Sequence, residues 1–185
     1  MALGDDSEEF ATTRLTFKSS QSFDTVIARL RCQTNRCNEP VSKPPIPYKP
    51  YASMTQDEFK EYINDMQGPS GFMYFHELEY GSWLNVLGIG KGMRMKKFII
   101  GNPLIAATIL NADLRTALNV PVELLIRELA DEGGGVKIVY LQPSETMVAQ
   151  ACRTQDLVDH IKMLDTMLRK LVDNVANSEV QVSCS

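Results

Sequence analysis

The stretch Phe98-Ile99-Ile100-Gly101-Asn102-Pro103-Leu104-Ile105-Ala106-Ala107 describes a strand that stops at a glycine turn and becomes a helix. Phe98 to Ile100 favour a pleated backbone, and Gly101 suits a tight turn. Asn102 is a good helix cap, and Pro103 suits the first helical position. No catalytic set accompanies this run, so it places the fold and leaves the chemistry to other residues.

Upstream of it, Arg14-Leu15-Thr16-Phe17-Lys18 alternates polar and apolar residues, as a strand covered on one face does. Ser22 then caps a helix of about Phe23 to Arg31, in which Phe23, Ile27 and Leu30 recur at helical spacing. Pro40, Pro44, Pro45, Pro47 and Pro50 forbid helix or central strand and predict an extended connector. Thr55-Gln56-Asp57-Glu58 is a capping box for a short amphipathic helix carrying Phe59, Tyr62, Ile63 and Met66. Gly71 to Leu78 reads as a second strand, and its nearly continuous apolar run predicts burial on much of both faces. Ser82 starts a short helical turn. Gly88, Gly90 and Gly92 follow without the pattern of a phosphate-binding or dinucleotide-binding loop, which predicts a flexible turn.

The third strand is Arg94 to Ile100, and its helix runs from Pro103 to about Leu110. Val122, Leu124 and Ile126 alternate with Glu123, Leu125 and Arg127 in a fourth strand. Asp131 to Gly135 forms a hairpin loop to a fifth strand, Val136 to Leu141, pairing antiparallel with the fourth. The stripe Leu157, Ile161, Leu164, Leu168, Leu171, Val175 then holds helical spacing over several turns. The predicted order is β-α-β-β-α-β-β-α, an α+β fold with a loop and helix inserted after the first helix. One domain is expected over residues 13–176, with a proline-rich insertion at 32–68 and flexible tails at 1–12 and 177–185.

The chain has 185 residues, 44% of them apolar, enough for one sizeable core. Its net charge of −4 argues against a surface built to neutralise phosphates, so no nucleic-acid partner is expected. No stretch is apolar for long enough to span a bilayer, and Met1 to Glu9 resembles no export leader, so the expected location is the cytoplasm. Cys32, Cys37, Cys152 and Cys184 lack zinc-site or redox-loop spacing. Reduced thiols are expected, a Cys32–Cys37 bridge being the alternative in an oxidising compartment.

The segments Arg14 to Leu30, Phe98 to Asp113 and Val120 to Pro143 resemble the family called domain of unknown function 302. Its members carry a glycine-asparagine-proline turn after a strand, here Gly101-Asn102-Pro103. The family's later small-residue helix, aspartate loop and leucine-x-x-proline are similar to Ala106-Ala107, Asp113 and Leu118 to Pro121. The resemblance covers about two thirds of the chain. It implies a curved antiparallel sheet backed by helices, related in shape to the halves of the TATA-box-binding protein, and assigns no activity. Many members carry isoleucine-aspartate-histidine after the second strand, where this chain has Leu78-Glu79-Tyr80. A metal or general-base role for that histidine therefore does not carry over to Tyr80, and the insertion lies outside the common pattern.

His76, read as a partly buried imidazole beside Glu77, Glu79 and Tyr80, is a candidate general base, with Tyr80 as its acid partner. His160, on the last helix, is too isolated for a multi-histidine metal site, and no metal or other cofactor is expected. Arg94, Lys96 and Lys97, beside Lys91, form a small basic cluster read as a solvated strand face. Phe72, Tyr74, Phe75, Tyr80 and Trp83 concentrate aromatic rings beside a sheet–helix cleft. The expected function is binding of a small, largely apolar molecule by Tyr74, His76, Tyr80, Trp83 and Asn102. The alternatives are a cyclase, isomerase or hydrolase using His76 and Tyr80, and a structural homodimer paired through an open sheet edge or an apolar helix face.

Overall fold

A computed structural model describes residues 11–37, 51–129, 133–147 and 154–177. Five strands, β1 (Arg14–Ser19), β2 (Met73–Glu79), β3 (Met95–Gly101), β4 (Val122–Glu128) and β5 (Val136–Leu141), form one antiparallel sheet in the order β1-β5-β4-β3-β2. The main helices are α1 (Phe23–Gln33), α2 (Gln56–Met66), α4 (Pro103–Ala112) and α6 (Gln155–Asn177). The short helices are α3 (Gly81–Val86) and α5 (Pro143–Thr146). The α+β order read from the sequence stands, α3 matches the short turn read from Ser82, and α5 is an added turn.

Period-two alternation aims one residue set at the helices. Phe98 and Ile100 on β3, Val122, Leu124 and Ile126 on β4, and Val136, Ile138 and Tyr140 on β5 are all buried. Register aligns them across the sheet: Ile100 opposite Val122, Phe98 opposite Leu124, Ile126 opposite Ile138. α1 contributes Phe23, Val26, Ile27 and Leu30 to the same core, and α6 contributes Leu157, Ile161, Leu164, Leu168, Leu171, Val172 and Val175. The opposite face of the sheet carries Thr16, Val139, Leu125 and Lys97 in one cross-strand row.

Three sequence expectations require correction. β2 is an edge strand of mixed burial, Met73, Tyr74 and Glu77 being buried and His76 and Glu79 exposed, and a register shift between Tyr74 and His76 turns His76 outward. His76 is exposed and is not the partly buried imidazole anticipated. Cys32 and Cys37 are joined by a disulfide with Cα atoms 4.3 Å apart, against the expectation of free thiols. The bridge forms because the chain reverses just after α1, with Arg36 N donating to Arg31 O at 2.7 Å, which folds Cys37 back onto the last turn. α6 also includes Asn177, which had been assigned to the tail. The proline run from Pro40 to Pro50 lies outside the described residues.

A polar cluster links α1 to the edge strand. Glu77, with a nearly inaccessible side chain, accepts from Arg31 Nη2 at 2.6 Å and Nε at 3.1 Å and from Lys96 Nζ at 2.7 Å. Burial alone raises the Glu77 pKa, but the hydrogen bonds and charges of Arg31 and Lys96 outweigh it and leave the carboxyl below its ordinary value. The basic cluster of the sequence is thus a set of ion pairs and not a bare face. Arg94 bridges Asp24 and Glu128, Lys96 meets Glu77 and Glu79, and Lys97 meets Glu123.

Candidate functional site

The strand-turn-helix at Gly101-Asn102-Pro103 builds one wall of an apolar cavity. Asn102 caps α4, its Oδ1 accepting from Leu104 N at 2.8 Å, while its Nδ2 donates to Gly71 O at 2.8 Å and Gln67 Oε1 at 2.9 Å. α4 is apolar almost throughout, yet of its residues only Ile109 is buried. The partly covered face of Ile105, Ala106 and Leu110 borders the cavity. α2 contributes Phe59, the approach to β2 and the strand itself contribute Phe72 and Phe75, the segment before β4 contributes Val120 and Pro121, and α6 contributes Leu164.

The cavity is a half-open cleft of about 450 Å³, within the usual range of small-molecule sites. Among the described residues, Asn102 is the one polar side chain in its lining, and both ends of its amide are already engaged. No charged group among the described residues borders the space. Such a wall can exclude water and hold hydrocarbon by shape and dispersion, but it supplies no acid, base or nucleophile. Gly101 sets the wall's depth, because a Cβ there would sit 2.7 Å from Phe75 Cε2 and 3.1 Å from Pro121 Cβ.

Of the five ligand-binding candidates, Asn102 alone lines this cavity. Tyr74 points into the core, its ring edge-on to Phe98 at 6.2 Å and beneath the Arg36 guanidinium at 5.3 Å. Burial, with the neighbouring Glu77 charge, pushes the Tyr74 hydroxyl up to about 12. His76 lies outward on β2, across from Ile99. Tyr80 precedes α3, its ring 5.8 Å from that of Trp83, and lines a wetter groove with Arg14, Lys97 and Glu123. Trp83 is 48% exposed. The aromatic run is therefore split between core, strand edge and surface.

Phe72 and Phe75 come from the aromatic run that the sequence placed beside a cleft, whereas Phe59, Ile105, Ala106 and Pro121 entered the sequence reading only through helix patterning or the family resemblance and not as site residues. The available signal was α4 itself, whose apolar residues spread around the helix beyond what one core-facing stripe needs. His160 holds Asp156 O through Nδ1 at 2.8 Å, a contact within its own helix. Among the described residues, no group of three or more His, Cys, Asp or Glu is placed to hold a metal ion. Among them also, no helix is long and apolar enough to cross a membrane.

A glycine-asparagine-proline turn capping a helix beside an antiparallel sheet defines a class of α+β protein. The profile of the family described as "Domain of unknown function DUF302" matches residues 49–175, and the chain belongs to that family. The match includes α2 within the segment read as an insertion, and leaves out β1 and α1. The structure is similar to the crystal structure of an uncharacterized conserved DUF302 protein from Bacillus stearothermophilus. The TM-score is 0.56 at 17% identity, over 89% of this chain and 98% of that one. This likeness is one of fold. No curated protein matches the chain.

Proposed function

We propose that the protein binds a small, apolar molecule in the cavity between α4, α2 and the end of the sheet, taking up a hydrocarbon moiety rather than a polar group. The observation that carries this reading is the lining, in which the one polar side chain is already fully engaged in hydrogen bonds. A ligand's charged or hydroxylated end would be desolvated without a partner inside, so it stays at the mouth. The acid–base alternative has no such support, because neither His76 nor Tyr80 lines the space. The reading also allows a homodimer through the sheet edges at β1 and β2, which sedimentation would test.

Titration of the full chain with the neutral fluorescent probe N-phenyl-1-naphthylamine tests the cavity. Saturable enhancement is expected, and Ala106→Trp, which fills the space from α4, should raise Kd about tenfold or more. Trp83→Ala, remote from the lining, should change Kd by less than about twofold. Absent binding, or binding indifferent to Ala106→Trp and sensitive to Trp83→Ala, would move the site to the surface aromatics.

A further inference from the structure

We propose that Cys32 and Cys37 form a redox site, and that opening their bridge with a dithiol reductant loosens the wall of the apolar cavity. The proposal rests on the cavity being a binding site, and it concerns how that site is controlled. The bridge closes the chain over Gln33 to Arg36, directly after α1. Within that loop Asn35 holds φ at 59°, the left-handed conformation that asparagine accepts more readily than other residues with a side chain and that commonly ends a helix.

The clamped loop supports the connector from α2 to β2. Gln33 O accepts from Ser70 N at 3.2 Å and from Ser70 Oγ at 2.6 Å. Thr34 O accepts from Tyr74 N at 3.1 Å, giving the edge strand a backbone partner outside the sheet. Asn35 Nδ2 donates to Met66 O at 3.2 Å, at the end of α2. Gly68 packs so closely on the Gln33 carbonyl that no side chain fits between them. On its other side the same connector is held by the cavity wall, through Asn102 Nδ2 to Gly71 O and Gln67 Oε1. A continuous route thus runs from the bridge through Gln33, Ser70 and Gly71 to Asn102, with Phe72 adjoining the cavity at the connector's end.

The chemistry is accessible from one side, since Cys37 is exposed and Cys32 half-buried. A thiolate of the reductant attacks Cys37 Sγ, the Cys32 sulfur leaves as a thiolate and takes a proton, and a mixed disulfide remains. The reductant's second thiolate then displaces the Cys37 sulfur, which is protonated in turn. Two electrons have passed to the pair and the reductant has become a disulfide. Without the bridge, the loop must hold the left-handed turn by hydrogen bonds alone, and its contacts with Ser70 and Tyr74 open more often.

The test uses the full chain carrying Cys152→Ser and Cys184→Ser, so that only this pair responds. Oxidised protein and protein reduced with dithiothreitol, its thiols counted, are compared by amide hydrogen exchange and by N-phenyl-1-naphthylamine binding. Reduction should speed exchange at Ser70 and Tyr74 about tenfold or more. It should also raise the probe's Kd about fivefold or more. Adding Cys32→Ser with Cys37→Ser should give the reduced values without dithiothreitol. A pair that stays bridged in excess dithiothreitol, or reduced protein with unchanged exchange or unchanged Kd, overturns the proposal. Oxidised protein that does not bind the probe overturns the cavity reading, and the coupling with it, whereas exchange still reports whether the bridge holds the loop.

Discussion

Glu77 shows how a single side chain fixes an edge strand to the helical layer. Its carboxylate is shared by Arg31 of α1 and Lys96 of β3, so Glu77→Gln leaves Arg31 facing a neutral group and Lys96 with the more exposed Glu79. The expected cost is about 3 kcal/mol by urea unfolding, and a cost near zero would mean that solvent screens the cluster. The lowered Glu77 pKa also sets a sign for pH dependence. Stabilisation from a depressed carboxyl is complete above its unfolded value near 4.5 and is lost as pH falls through the folded value below it. Wild-type stability should therefore fall more steeply than that of Glu77→Gln as pH drops below about 4.5, as urea midpoints measured across that window would show. Gly101 bears on the cavity in the same local way. Gly101→Ala puts a methyl group against Phe75 and Pro121, pressing that ring into the space, and should weaken probe binding about tenfold.

Helices and strands carry these residues to their places, and the two helices at the cavity do so by different means. α2 has the full capping box, Thr55 Oγ1 accepting from Glu58 N and Glu58 Oε2 accepting from Thr55 N. Thr55→Ala should cost about 1 kcal/mol of stability in denaturant unfolding. Because α2 brings Phe59 to the cavity, the same change should also weaken probe binding, a loss that a purely local fraying would not produce. α6 is held by its stripe. Leu168 is fully buried, so Leu168→Ala should cost about 2 to 5 kcal/mol, against less than about 0.5 kcal/mol for a surface substitution. These periodic elements were legible in the sequence because helical and strand spacing repeats over many residues. The edge position of β2 was not, since an apolar run has the same pattern whether it sits within a sheet or at its margin.

Taken together, the described residues of the fold shape an apolar cleft whose one polar side chain is engaged, and ligand should act on the entire cooperative unit. At a probe concentration about 100 times Kd the folded state gains about 2.7 kcal/mol, so the melting temperature should rise by roughly 5 to 10 °C. At the same probe concentration Ala106→Trp, with Kd raised about tenfold or more, should cut that rise to about half or less while the protein remains folded. The sequence by itself determined the order of strands and helices, the cap at Asn102, the capping box at Thr55 and the stripe of α6. All of these follow from short-range backbone preference and from a periodic apolar pattern. The Cys32–Cys37 bridge, an open alternative in the sequence, follows from the local turn that ends α1. Tertiary structure alone decided that Tyr74 turns inward while His76 turns outward, that Trp83 stays half-exposed, and that Phe59, Phe75, Ala106 and Pro121 meet around one space. The physical reason is that side-chain direction in a strand reverses with each residue, and a single register shift at Phe75 redistributes every neighbour. Residues about sixty positions apart come together only where helices pack against the end of the sheet, a distance that local spacing does not encode.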